Sequence, residues 1–123
     1  MRAALVLSVS TLLAAAASAQ TDYGKVEVKA EKLAAGVYML VGSGGNIGVS
    51  AGDDCVFVID DQYAPLTEKI LAAIRQISDK PVRFVLNTHF YGDHTDGNET
   101  LGKAGTLIVA HDNVRKRLAA EQV

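Results

Sequence analysis

The stretch that decides the fold is residues 87–98, which read Asn87-Thr88-His89-Phe90-Tyr91-Gly92-Asp93-His94-Thr95-Asp96-Gly97-Asn98. His89, Asp93 and His94 lie within six residues of one another, directly after an apolar run. Imidazole nitrogens and carboxylate oxygens are both ligands of zinc. Because Asp93 and His94 are adjacent, their side chains point in different directions. This favours a loop that supplies ligands to two neighbouring metal positions.

The sequence before this loop predicts a sheet followed by a helix. Extended runs separated by turn residues indicate strands at residues 36–41, 46–50 and 55–59. The glycine-rich residues 42–45 are interpreted as a hairpin turn, because a strand and not a helix follows them. Apolar residues at helical spacing then predict an amphipathic helix over residues 66–77, and Pro81 stops it.

The histidine-rich loop itself lies among alternating strands and helices. The pattern predicts a strand over residues 82–87, a short helix near residues 99–103, a strand over residues 106–110 and a helix from Asn113 with Asp112 as N-cap. His111 stands between the last strand and this helix and is interpreted as a capping or packing residue. The order of elements predicts an α+β fold with a mixed β-sheet covered by helices on one face.

Residues 1–19 have the three parts of a secretory signal peptide: Arg2, an apolar run from residue 3 to residue 17, and the small residues Ala17-Ser18-Ala19. The run is shorter than the ~20 apolar residues of a membrane-spanning helix. We therefore expect cleavage after Ala19, a periplasmic or secreted protein without stable membrane insertion, and one domain over residues 20–123.

Charge and cysteine content restrict the function further. Beyond residue 19 there are 11 Lys+Arg and 14 Asp+Glu, a net charge of −3, which argues against a nucleic-acid partner. The basic cluster Arg115-Lys116-Arg117 is interpreted as a solvated helix face. Cys55 is the sole cysteine, so an intramolecular disulfide is impossible. Its alternation with Phe57 and Ile59 predicts a buried small hydrophobe in preference to a reactive thiol.

Residues 87–98 resemble the metal-binding loop of the metallo-β-lactamase superfamily, T-H-x-H-x-D-H followed by a glycine-containing turn. The strand Val56-Phe57-Val58-Ile59-Asp60 resembles that superfamily's strand ending in aspartate, and Gly44-Gly45-Asn46-Ile47 resembles its early hairpin. The resemblance covers about the first half of a fold in which two β/α halves pack as an αββα sandwich. It implies a half-sandwich truncated from that architecture, and zinc-dependent hydrolysis of a small-molecule substrate as the activity.

Carried over residue by residue, the resemblance makes His89 a ligand of a first zinc ion, and Asp93 and His94 ligands of a second. Asp93 would also be catalytic, because it would orient the hydroxide that two metal ions share. For Asp60 two interpretations remain open, a carboxylate that supports the loop and a strand-end acid that caps a turn.

The pattern fails at position 91, where Tyr91 stands in place of the second histidine. A phenol, with a reference pKa of about 10, binds divalent metal less readily than imidazole at neutral pH. The ligands of the second half of the fold lie outside these 123 residues. The expected function is therefore an exported zinc hydrolase, in the form of an N-terminal fragment with an impaired metal site. The alternative is a non-catalytic exported module that self-associates, or pairs with another chain, through an uncovered sheet face.

Overall fold

The structure is a computed structural model that describes residues 20–120. The predicted signal peptide, residues 1–19, and the last three residues of the predicted domain lie outside the described residues. Among residues 20–120, no helix is both long enough and apolar enough to cross a membrane.

The described part of the chain forms six strands and four α-helices. In chain order they are β1 (Lys29–Ala34), β2 (Val37–Val41), β3 (Ile47–Ala51), β4 (Val56–Ile59), α1 (Thr67–Ile77), β5 (Val82–Asn87), α2 (Gly92–Thr95), α3 (Asn98–Lys103), β6 (Leu107–Ala110) and α4 (Asp112–Ala120). Short 3₁₀ turns at Tyr23–Lys25 and Ala64–Leu66 precede β1 and α1.

All six strands belong to one mixed sheet with the order β1-β2-β3-β4-β5-β6. The first four strands pair antiparallel, and β4, β5 and β6 pair parallel. Each parallel step requires a crossover connection, which α1 provides between β4 and β5 and which α2 and α3 provide between β5 and β6. The carboxyl ends of β4, β5 and β6 therefore lie at one edge of the sheet.

The core lies between one face of the sheet and the helices. Alternate residues of β2 to β5 are buried there against apolar residues of α1 and α3, in a cluster formed by Leu40, Ile47, Val49, Val56, Val58, Leu66, Ile70, Ile74, Val85 and Leu101. Because successive side chains of a strand point to opposite faces, this burial fixes the register of each strand. The predicted fold class, a mixed sheet with helices on one face, is confirmed.

The opposite side of the sheet, which we call the uncovered face, carries the intervening residues. Their side chains are apolar and half-buried or exposed: Val37, Met39, Val41, Phe57, Ile59, Phe84, Leu86, Leu107 and Val109. Leu107 is 61% exposed and Ile59 is 41% exposed. A contiguous apolar surface of this kind is typical of an interface.

Three local predictions were wrong or incomplete. Strand β1 was not predicted, because its sequence Lys-Ala-Glu-Lys-Leu-Ala lacks apolar alternation and every residue of it is exposed. It is an edge strand held by pairing with β2, and lysines are common on such edges. The last helix begins at Asp112 and not at Asn113, so His111 and not Asp112 is the residue that caps it.

Cys55 was predicted to be buried, but it is only half-buried and precedes the first residue of β4. The alternation with Phe57 and Ile59 was correct, but those residues belong to the uncovered face and not to the core. Partial desolvation, and then the neighbouring Asp54 carboxylate, raise the pKa of the Cys55 thiol. A raised pKa lowers the thiolate fraction, which agrees with an unreactive thiol.

Candidate metal centre

The candidate metal centre lies at the carboxyl ends of the parallel strands. Asp60 directly follows β4, and Thr88 and His89 directly follow β5. The short helix α2 then places Asp93 and His94 in its single turn. The order of strands therefore brings together residues that lie 34 positions apart in the sequence, such as Asp60 and His94.

Asp60 organises the loop. It is 4% exposed and its backbone lies in the left-handed region, with φ 62°, which aspartate tolerates better than most residues. Its Oδ1 accepts a hydrogen bond from Thr88 N at 2.8 Å, and its Oδ2 accepts hydrogen bonds from Thr88 Oγ1 and His94 Nδ1, both at 2.7 Å. Of the two interpretations left open for Asp60, these contacts favour the carboxylate that supports the loop.

These contacts assign the tautomers of both histidines. Because His94 Nδ1 donates to Asp60, the proton of a neutral His94 is on Nδ1 and its Nε2 carries a lone pair. The Thr88 hydroxyl has one proton and donates it to Asp60, so in its 2.9 Å contact with His89 Nδ1 the imidazole is the donor. Nε2 of His89 is then also a bare nitrogen, as a metal ligand requires.

Three potential ligands form one group, and Asp93 lies beside one of them. The imidazole rings of His89 and His94 lie with their centroids 4.0 Å apart, and donor atoms of Asp60, His89 and His94 lie within 4.8 Å of one another. Asp93 Oδ2 lies 3.3 Å from His94 Nε2. In a neutral His94, the lone pair of Nε2 faces a lone pair of Asp93 Oδ2, and the two repel each other. A cation bound to both atoms would remove this repulsion. The donor set therefore fits a divalent metal such as zinc.

Two glycines of the β2–β3 hairpin leave the space that this loop occupies. A Cβ at Gly45 would lie 2.2 Å from His94 Cε1, and a Cβ at Gly44, where φ is +82°, would lie 2.7 Å from the Cβ of Asp93. The hairpin is held by Gln62, which is fully buried: its Oε1 accepts from Ser43 N at 3.3 Å and its Nε2 donates to the carbonyl of Gly45.

A second buried carboxylate, Asp61, links the loop to the start of α3. Its backbone N donates to His94 O at 3.0 Å, and its Oδ1 accepts from Gly97 N at 3.1 Å. Its Oδ2 is buried without a hydrogen-bond partner. Desolvation raises the pKa of Asp61 to about 7, and the charges of Asp60 and Asp96 add to the rise, against the opposing hydrogen bond from Gly97. Burial and the neighbouring carboxylates thus disfavour the charged form of Asp61 at neutral pH.

Tyr91, at the position of the missing histidine, is turned toward solvent. Its side chain is 59% exposed, and its ring meets the ring of His89 edge-on at 5.0 Å and that of Phe90 at 4.9 Å. The other side of this segment is covered by α4, where the Arg117 guanidinium lies 5.4 Å from the centroid of the Phe90 ring. Tyr91 therefore contributes an aromatic wall beside His89.

The remaining histidine, His111, lies outside the donor group. Its Nδ1 accepts a hydrogen bond from Asn113 N at 3.1 Å at the start of α4. In the neutral ring the proton is therefore on Nε2, and neither nitrogen is free to bind a metal. The predicted capping role of His111 agrees with this contact.

The structure thus groups His89 and His94 with Asp60, places Asp93 beside His94, and adds residues that the sequence did not reveal. The hairpin glycines were predicted only as a turn, and their contact with the loop spans 49 positions, from Gly45 to His94. For Gln62 a signal existed, since three polar residues directly after an apolar strand are unusual in a protein core.

Comparisons with known proteins identify the fold. The chain matches the metallo-β-lactamase FIM-1 from Pseudomonas aeruginosa in its mono-zinc form with a TM-score of 0.70 and 19% identity, over 80% of this chain and 48% of that chain. It matches the DIM-1 metallo-β-lactamase with a TM-score of 0.67 and 21% identity, over 80% and 49% of the two chains. A B3 metallo-β-lactamase with an active-site glutamic acid gives a TM-score of 0.65 at 20% identity, over 71% of this chain and 34% of that one.

At the level of sequence, a linear primary-alkylsulfatase from Pseudomonas sp. (strain ATCC 19151) is 35% identical over 49 residues, which are 40% of this chain and 9% of the relative. No family model matches the chain. The resemblance seen in residues 87–98 is confirmed as a metallo-β-lactamase-like fold. The chain spans about half the length of the first two solved metallo-β-lactamases named above.

Proposed function

We propose that this protein is an exported, zinc-dependent hydrolase of the metallo-β-lactamase superfamily whose metal site is impaired by Tyr91. One observation carries the metal chemistry: in a neutral His94, whose Nδ1 donates to Asp60, Nε2 is bare and faces Asp93 Oδ2 at 3.3 Å. Two acceptors at this distance are stable next to each other only with a cation or proton between them.

Bound zinc would supply a water of pKa about 7 and would polarise a carbonyl or phosphoryl oxygen. The residues that would hold it are His89, Asp93 and His94. Asp60 keeps a proton on Nδ1 of His94 and, through Thr88, on Nδ1 of His89. The Asp93 side chain is 29% exposed, so it would also accept a hydrogen bond from the attacking water and orient it.

The substrate would be a small molecule, in keeping with the hydrolases that share this fold. β-Lactam hydrolysis is one candidate, and the alkylsulfatase match supports a sulfate ester as another. Export rests on Arg2, the apolar run that follows it and Ala17-Ser18-Ala19.

The test is hydrolysis of a panel of lactam, ester, thioester and sulfate-ester substrates by the protein purified with zinc. Slow turnover is expected, lost with a chelator and in Asp93→Asn and His94→Ala, but retained in His111→Ala, which removes a histidine outside the donor group. Turnover that survives chelation would contradict metal chemistry. Rapid turnover with two tightly bound zinc ions would contradict the impairment.

Export is tested separately by expressing the full chain and measuring the mass of the protein in the periplasm. The expected mature protein begins at Gln20, because signal peptidase accepts Ala17-Ser18-Ala19. Substituting Ala17 and Ala19 with larger residues should block cleavage. Uncleaved chain confined to the cytoplasm would contradict export.

A second candidate function, a non-catalytic module that self-associates, is favoured by the uncovered face. Leu107, Val109 and Ile59 are 61%, 43% and 41% exposed and lie on β6 and β4, the two strands that flank β5. Two such faces packed together would bury apolar surface worth ~25 cal/mol per Å². Light scattering should then give a dimer that Leu107→Glu returns to a monomer. A monomer at high concentration would contradict this candidate.

A further inference from the structure

We infer that the segment before β1, residues 22–28, holds the histidine-rich loop in position, and that zinc binding to the loop stabilises this segment in return. We call the segment the strap. The inference rests on the proposed zinc site and deepens it, because it adds an element that lies outside the ligands themselves. The strap has a positioning role and no contact with substrate.

The strap is fixed to α1 by one side chain, that of Lys69. Its ammonium donates to three backbone carbonyls of the strap: Tyr23 O at 3.0 Å, Gly24 O at 2.8 Å and Val26 O at 2.7 Å. A lysine ammonium has three protons, so every donor of Lys69 is used. Hydrogen bonds from a charged donor are also stronger than neutral ones. Lys69 therefore determines whether the strap stays docked.

The docked strap contacts a neighbour of the loop through Tyr23. The ring of Tyr23 lies 5.2 Å, centroid to centroid, from the ring of Tyr63. A Cβ at Gly44 would lie 3.0 Å from Tyr63 Cε2 and 2.7 Å from Asp93 Cβ, so Tyr63 and Asp93 pack against the same backbone position. Desolvation, and then the charge of Asp93, raise the pKa of Tyr63, which agrees with this proximity. Tyr23 thus limits the movement of Tyr63 and, through Gly44, that of Asp93.

A second connection runs from Val28 to the β2–β3 hairpin. A Cβ at Gly42 would lie 3.4 Å from Val28 Cγ2 and 2.6 Å from Gln62 Oε1. Gln62 also donates to the carbonyl of Gly45, the residue that packs against the His94 imidazole. The strap therefore contacts, at two points, the hairpin residues and side chains that position two of the proposed ligands.

Support of this kind acts in both directions. If the docked strap favours the ligand geometry, zinc binding favours the docked strap by the same factor, because the two equilibria are linked. Such coupling is typically about five-fold or more. No residue of the 3₁₀ turn Tyr23–Lys25 is buried, so the strap should open at lower cost than the core. Its opening can therefore be measured separately from global unfolding.

The experiment measures amide hydrogen exchange in the full chain, without metal and with saturating zinc. The amides of Gly24, Lys25 and Val26 donate to acceptors within the strap, so their exchange reports its opening. Zinc should slow this exchange by about five-fold. The internal control is the amide of Gly52, which is bonded to Cys55 O in the turn before β4, at the end of that strand opposite the loop. Zinc should not change its local exchange.

Lys69→Met tests the clamp, because it removes the ammonium and keeps the aliphatic stem. Without metal, its strap should exchange at least about ten-fold faster than that of the wild type, since three hydrogen bonds to a charged group are lost. Calorimetric titration should show zinc affinity reduced by the factor by which zinc slows strap exchange in the wild type. Lys32→Met, at an exposed lysine of β1, is the control and should match the wild type in both measurements.

Tyr23→Ala tests the ring contact with Tyr63. It should also lower zinc affinity, whereas Tyr23→Phe keeps the ring and should bind zinc as the wild type does. In Asp93→Asn, zinc should no longer slow strap exchange, because the proposed ligand that Tyr63 helps to position is altered. Circular dichroism checks that every variant is folded.

Two results would overturn the inference and leave the proposed zinc site intact. One is strap exchange that saturating zinc does not change in the wild type. The other is a Lys69→Met chain that binds zinc as tightly as the wild type while its strap exchanges faster. A wild-type chain that does not bind zinc would overturn both the proposed site and its coupling to the strap.

Discussion

The two histidines of the loop lie five residues apart but are held in different ways. The His94 side chain is 17% exposed, bonds directly to a buried carboxylate and packs against the backbone of Gly45. His89 is half-exposed, reaches the same carboxylate only through Thr88 and stands beside the exposed Tyr91. We call these the His94 end and the His89 end of the loop.

The difference shows which end of the loop tolerates substitution. At the His94 end, a substitution must disturb buried hydrogen bonds or close packing, and both are costly. At the His89 end, the ring and its neighbour Tyr91 face solvent, where exchange of an imidazole for a phenol costs little stability. Loss of the second histidine of the motif at the His89 end is thus compatible with a folded loop.

The largest loss of zinc affinity is expected for Asp60→Asn, because Asp60 positions the histidines at both the His94 end and the His89 end. The amide oxygen can still accept from Thr88 N, but the amide nitrogen then faces His94 Nδ1 as a donor. The proton of His94 must move to Nε2, where it blocks metal binding. Zinc affinity should fall by about 10- to 100-fold, the usual range for a residue that orients a metal ligand.

Calorimetric zinc titration measures this change, and thermal unfolding checks the fold. Asp79→Asn is the matched control, because the Asp79 side chain is 88% exposed and precedes β5, whereas the loop follows the other end of that strand. Equal zinc affinity of Asp60→Asn and wild type would show that Asp60 does not fix the tautomers.

Gly45→Ala should displace the imidazole at the His94 end and leave the His89 end unchanged. The new Cβ would lie 2.2 Å from His94 Cε1 and 2.5 Å from its Nε2, so the imidazole must move. Overpacking of this kind costs about 1–3 kcal/mol of stability, and the displaced Nε2 should bind zinc more weakly. The control is Gly102→Ala, whose Cβ would have no neighbour within 4 Å. Unfolding and zinc titrations that do not distinguish the two variants would contradict the close packing.

The contrast between the two ends also shows which features of the loop could be predicted from the sequence. Residues 82–94 could be predicted as a strand and a candidate metal-binding loop, because apolar periodicity and ligand spacing are local. The contact of Gly45 with His94 could not, because it depends on the register of distant elements. The positive φ angles of Asp60 and Gln62 likewise arise from tertiary contacts, since neither residue type requires them.

Tyr91→His should restore the second histidine of the motif at the His89 end. The ring of residue 91 already meets that of His89 at 5.0 Å, so an imidazole there would add a donor beside the existing ones. We expect zinc affinity to rise by about ten-fold, equivalent to about 1.4 kcal/mol. Tyr91→Phe, which adds no donor, is the control and should match wild type in the same titration. Unchanged affinity in Tyr91→His would mean that the loop is not arranged for metal at this end.

The smallest effect is expected for Thr88→Val, which cuts the connection between Asp60 and His89 but leaves the direct bond to His94. Without the hydroxyl, the proton of His89 is free to occupy either ring nitrogen. About half of the molecules then lack the tautomer that binds metal, and zinc affinity should fall about two-fold. The Thr88 backbone N still donates to Asp60, so the loop keeps its shape. Thr88→Ser retains the hydroxyl and should bind zinc as wild type does. A loss in Thr88→Val as large as that in Asp60→Asn would contradict the distinction between the two ends, because it would place His89 under the same control as His94.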